Sequence, residues 1–118
     1  MLEDEKQRVM LDVERVALEV CRRLGALDPS LRRRSRELAD QVQRAAMSMM
    51  LNLGESRGNQ LGNCRLRLET AAGSAAELRG AARFGAIWGL IDRELADSID
   101  RDLDRVAAML WKMRARCG

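Results

Sequence analysis

Arginines, a run of aspartates, two serines and three cysteines are the residues of this 118-residue chain best equipped for chemistry. Arg32, Arg33, Arg34 and Arg36 lie within five residues of one another, and Arg57, Arg65 and Arg67 follow soon after. A planar guanidinium with five donors suits phosphate, so the grouping points to the backbone of a nucleic acid or to an acidic partner. The alternative is a solvated charged face. No aromatic residue interleaves with these arginines, so stacking on single-stranded bases is not indicated. Any nucleic-acid contact would be to the backbone and indifferent to sequence.

The remaining candidates argue against catalysis. Without histidine, no Ser-His or Cys-His arrangement can be assembled. Ser48 and Ser74 fall inside helical patterns, not on a strained elbow, and "GSAAELRG" lacks the lysine of a phosphate loop. Asp100, Asp102 and Asp104 are spaced by two, which scatters them around a helix. Cys21, Cys64 and Cys117 are widely separated, with no CxxC pair, so a zinc site has almost no ligands. They are expected to be buried free thiols. The expectation is a protein that is not an enzyme and carries no cofactor or metal.

The elements that must position these residues are helices. Tyrosine is absent, proline occurs once, and good helix formers dominate. A first helix is expected from about Asp4 to Leu24, with Val9, Val13, Val16, Val20 and Leu24 on one stripe and Gly25 as its stop. A second begins at Asp28 and Pro29, carries Leu31, Leu38, Val42, Ala45, Met49 and Leu53, and ends in "GESRGNQ" at Gly54 and Gly58. A third starts near Leu61, carries Cys64, Leu68, Ala71, Ala75, Leu78 and Ala82, and closes at Phe84-Gly85. Close approach of a neighbouring backbone is the expected reason for Gly73 in its centre. A fourth runs from about Leu90 to Arg114 along Ile91, Leu95, Ile99, Leu103, Val106, Leu110 and Met113. Four amphipathic helices with short links predict one all-α domain over 1–118, an antiparallel up-down four-helix bundle. On these boundaries Arg32, Arg33 and Arg34 lie in the first turns of the second helix. Positive charge there opposes the helix dipole by about 0.3–1 kcal/mol each, so an anion is expected to compensate it.

Net charge is +3 but uneven: residues 32–83 hold ten arginines against five acids, and residues 84–104 two against six. No apolar run reaches the roughly 18 residues of a membrane span. The charged start "MLEDEKQRVM" resembles neither a signal nor a transit peptide, so a cytoplasmic location and no membrane partner are expected.

"QVQRAAMSMMLNLGES", followed by "LETAAGSAAELRGAARFGAI", resembles the four-helix bundle family encoded within intervening sequences of large-subunit ribosomal RNA genes. Its distant relatives are the accessory variability proteins of diversity-generating retroelements. Gln41, Arg44, Ala45, Ala46, Ser48, Asn52 and Glu55 match the first family pattern, and Ala71, Gly73, Ser74, Glu77 and Leu78 the second. Met50 stands where the family usually has proline, and Gly54 and Ser56 where alanine and glycine are expected. The resemblance spans about residues 5–114. It implies an up-down bundle assembled as a ring, typically a pentamer, of basic character. It also implies relatives that bind a reverse transcriptase and nucleic acid.

From Ala45 to Leu53 the chain is apolar on nearly every side. One face can line a core; Met47, Met50 and Leu51 then point elsewhere, and such a patch commonly marks an interface between subunits. Arg44 and Glu77 are expected to pair across two helices and fix register, Asn52 to bond nearby backbone, Arg65 to pair with Glu69 on the surface, and Trp88 and Trp111 to sit at the core edge or an interface. Two functions follow. One is a nucleic-acid-binding accessory protein with a basic ring, assisting a reverse transcriptase and contacting RNA or DNA backbone. The other is a protein–protein scaffold without nucleic acid.

Overall fold

Acids in the first turn (Glu3, Asp4, Glu5) and arginines in the last (Arg32, Arg33, Arg34) frame a first helix, α1, over Glu3–Arg34. That polarity complements the helix dipole. The computed structural model describes residues 3–58 and 62–117; Leu61 lies outside them. Contrary to expectation, α1 runs through both Gly25 and Pro29. Pro29 removes the bond to the Gly25 carbonyl, but both residues are exposed, so water can serve that oxygen. Leu24, Leu27 and Leu31 keep packing on the core through this stretch, and packing outweighs local propensity.

The break falls on the single residue Ser35. Its N–H donates to the Leu31 carbonyl at 2.7 Å, and its Oγ accepts from the Leu38 N–H at 3.1 Å. Ser35 thus ends α1 and caps α2, Arg36–Gly58, a role assigned in sequence to Asp28. α2 also passes straight through Gly54. The third helix, α3, spans Gly62–Ile87 and does not close at Phe84-Gly85. It stops at Gly89, whose φ of 68° is the left-handed conformation that ends helices. Gly85 serves another purpose: a Cβ there would lie 2.5 Å from Ile91 Cδ1 and 2.7 Å from Cγ1. Asp92 caps α4, Arg93–Arg114, by accepting the Leu95 N–H.

Each helix touches two neighbours, α1 with α2 and α4, and α3 with α2 and α4; among the described residues diagonal helices do not meet. Pairs along three of these four seams give the directions. Glu14 meets Arg57 and Arg32 meets Asp40; Ser48 meets Ser74 and Gln41 meets Glu77; Glu69 meets Arg114 and Asp100 meets Arg79. These three seams are antiparallel, in a rod of 45 × 21 × 19 Å. The expected stripes form its core, with Met49, Leu53, Leu68, Leu78, Ile99, Leu103 and Leu110 among the fully buried side chains. Leu95 and Met113 are partly buried against it.

Two further expectations are corrected. Gly73 is exposed and no heavy atom lies within 4 Å of a Cβ placed on it, so no neighbour in the bundle requires a glycine there. Cys64 and Cys117 are not free thiols; they form a disulfide across a Cα separation of 5.9 Å. Antiparallel packing brings the start of α3 beside the end of α4 and so joins cysteines 53 residues apart. Cys21 alone is free, and burial pushes its thiol pKa up.

Candidate interaction surface

The residues matching the family pattern meet at the α2–α3 seam. Ser74 Oγ donates to Ser48 Oγ at 2.7 Å. Asn52 Nδ2 donates to the Ser48 carbonyl at 2.8 Å, the backbone role expected of it. Its other end, Oδ1, accepts from Arg67 at 3.3 Å, and Arg67 Nε lies 2.9 Å from Glu55. Asn52 and Ser74 are buried. A polar chain of this kind, inside a small-residue seam, fixes the register of two helices. The two serine hydroxyls are engaged with each other. The Ser48–Ser74 bond was missed in sequence; two serines in facing apolar stretches were its only signal.

The arginines do not gather on one surface. Arg32 is held by Asp28 at 3.1 Å and Asp40 at 2.5 Å, with Gln43 accepting at 3.1 Å. Bonding to Asp28 first, and Asp40 next, raises its pKa, and Arg32 in turn holds the Asp40 carboxyl below its ordinary value. Arg34 donates to the carbonyls of Gly89 and Leu90, Arg57 pairs with Glu14, and Arg67 with Glu55. Among the described residues, Arg33, Arg36 and Arg65 are exposed and make no ion pair. Arg33 and Arg36 sit at the α1–α2 corner, whereas Arg65 opens α3 at the opposite end, about 30 Å away for a helix of 23 residues. Because Arg32, Arg33 and Arg34 end α1, the dipole favours them and no anion is needed to compensate.

Two more pairings differ from expectation. Arg44 and Glu77 are both exposed and do not touch; Gln41 stands between them, accepting from Arg44 at 3.1 Å and donating to Glu77 at 3.3 Å. Glu69 pairs with Arg114, not Arg65. The aspartates of α4 divide among basic partners: Asp100 and Asp104 with Arg79, and Asp102 with Arg23. Arg79 holds the Asp100 carboxyl below its usual value.

Exposed apolar side chains are also present. Met47 and Leu51, one turn apart on the outer face of α2, are 56% and 58% exposed, and Leu66 on α3 is 54% exposed. Met50 differs from its expected role: it turns inward and packs against the core. Further along, Phe84 and Trp88 stack at 5.6 Å beside a groove of about 650 Å³ between the start of α2 and the end of α3. Leu38 and Ala81 line it, with Glu37 and Glu77 among its polar groups. Trp111 is exposed on α4, with the Arg114 guanidinium 4.9 Å over its ring. Among the described residues, no helix is long and apolar enough to cross a membrane.

The same bundle occurs in a solved structure, a protein of unknown function from the S23 ribosomal protein family of Bacteroides thetaiotaomicron VPI-5482. The TM-score is 0.83 at 21% identity, over 91% of this chain and 98% of that one. No curated protein matches the chain, and the comparisons supply no link to retroelement proteins. The family model for 23S rRNA-intervening sequence proteins matches residues 7–112; the chain belongs to that family.

Proposed function

We propose that the protein is a non-enzymatic, self-assembling scaffold whose working surface is the outer face of α2 and α3. The observation that carries this is the set of three large apolar side chains, Met47, Leu51 and Leu66, each more than half exposed on adjacent helices. A patch of this kind marks a surface that another protein covers. The occupant is a second copy of the chain, and the family resemblance supports a ring of about five. Light scattering tests the reading. Assembly gives a multiple of 13.3 kDa, and Leu51→Asp together with Met47→Asp returns the monomer with helicity intact. A mass near 13.3 kDa at every concentration overturns it.

Backbone binding of nucleic acid is the second reading. It is favoured by Arg33 and Arg36, both exposed at the α1–α2 corner, which a ring would present in several copies. Ribosomal RNA, named in the family description, is the first polyanion to try. Binding should weaken with salt by about 0.9 log units of affinity per log unit of salt for each duplex phosphate contacted. Arg33→Gln with Arg36→Gln should flatten that slope; an unchanged slope removes this reading and leaves the scaffold. A reverse transcriptase partner is supported by the resemblance alone.

A further inference from the structure

We infer that the Phe84–Trp88 groove receives the outer face of α1 from the next copy, so that the subunits join head to tail through two different surfaces. The inference rests on the self-assembly proposed above and adds to it a second contact, separate from the Met47, Leu51 and Leu66 face.

Two observations describe the groove. Its apolar part is Leu38 on the floor and the stacked Phe84–Trp88 pair on the wall, with Trp88 68% exposed. Its two carboxylates, Glu37 and Glu77, make no ion pair among the described residues; Glu77 accepts only from the neutral Gln41. Arg34, at the mouth, is turned to the Gly89 and Leu90 carbonyls. A groove with an apolar floor and two uncompensated carboxylates, on a protein of net charge +3, selects an occupant that is apolar and cationic by turns.

The outer face of α1 has that character. Leu11, Arg15, Leu18 and Arg22 follow one another by four, three and four residues, one stripe on a helix. Leu11 and Leu18 are 50% and 48% exposed. Arg15 and Arg22 have only pairs within their own helix, to Asp12 and Glu19, with guanidinium side chains 77% and 70% exposed. Such exposed pairs contribute little and leave donors available. An amphipathic helix laid in a groove is read through anchors at this spacing. The leucines would meet Leu38, Phe84 and Trp88, and the guanidinium groups would reach Glu37 and Glu77 or lie over the indole ring.

Ridge and groove lie on different sides of the bundle, and among the described residues α1 and α3 do not touch within one copy. The contact is therefore heterologous, and repetition gives a closed ring or an open filament.

Cross-linking tests it. Gly80 lines the groove and a Cβ there meets nothing within 4 Å, so cysteine fits. On a Cys21→Ala background, the double variant Leu18→Cys/Gly80→Cys should give, on oxidation, a ladder of covalent multimers that extends beyond the dimer. Each single variant should stay uncross-linked. Dimers from a single variant, or an assembled double variant without a ladder, overturn the inference while leaving self-assembly standing; loss of assembly in the parent protein overturns both. In a second arm, Arg15→Glu/Arg22→Glu should raise the half-assembly concentration about tenfold or more, and adding Glu37→Arg/Glu77→Arg should restore it. Failure of the charge exchange to restore assembly counts against the pairing.

Discussion

Ser48 on α2 and Ser74 on α3 share one hydrogen bond, 2.7 Å long, across a seam where both flanking surfaces are apolar. Ser48→Ala leaves the buried Ser74 hydroxyl without that partner and also removes a contact of Asn52. The expected loss is about 1–3 kcal/mol, the cost of an unsatisfied buried donor. Ser48→Ala/Ser74→Ala together should cost less than the sum of the two singles, since the pair then leaves as a unit. Urea denaturation of the four proteins measures this; additive losses would mean that the two hydroxyls do not depend on each other.

Glycines in one helix should respond with opposite sign. Gly85→Ala places a Cβ against the buried Ile91 side chain, and overpacking of this kind costs about 1–3 kcal/mol. Gly73→Ala meets open space and should raise stability by up to about 1 kcal/mol through helix propensity. Thermal melts of the two variants, read against the parent, decide it.

Reduction should loosen the end of the bundle where α3 begins. The Cys64–Cys117 link closes a loop of 53 residues, and a native disulfide is worth about 2–4 kcal/mol. Cys64→Ser/Cys117→Ser should lower the melting temperature by about 10 °C or more. Thiol titration of the unreduced protein should find one thiol, Cys21, reacting slowly because burial raises its pKa. A count of three without reductant would contradict the link.

Acid should unfold the protein in a defined window. Asp40 and Asp100 are held below their ordinary pKa by Arg32 and Arg79. Their contribution is present above the unfolded-state value of about 4 and is lost as pH falls through the lower folded values. Stability should be flat in this respect from pH 7 to 5 and decline below about 4. Asp100→Asn should be less stable than the parent at pH 7, and the gap should narrow toward pH 2. A gap independent of pH would mean that the carboxylate's charge is irrelevant.

The four stripes were readable because a buried helical face repeats every three or four residues, as Val13, Val16, Val20 and Leu24 do. The corners were harder. Gly25 and Pro29 are breakers by propensity, yet Leu27 and Leu31 stay on the core, and their burial decides where α1 ends. That one boundary also placed three arginines at the wrong end of a helix and reversed the sign of the dipole argument. Asp28 stands four residues before Arg32, a spacing that invites a pair, so that part of the arginine site was open to reading. Asp40, Glu14 and Glu55 reach their arginines from across a turn or a seam. The Cys64–Cys117 link needed the antiparallel register of α3 and α4, which no local pattern contains.

Ser35 is a corner of one residue, the whole connection between α1 and α2. An inserted residue there would turn α2 by about 100° about its axis, swinging Leu38, Val42, Ala45, Met49 and Leu53 out of the core together. A deletion would do the same in the opposite sense. Length at this corner is therefore set by the face that α2 must bury, and a single-residue change there is felt along the whole of α2.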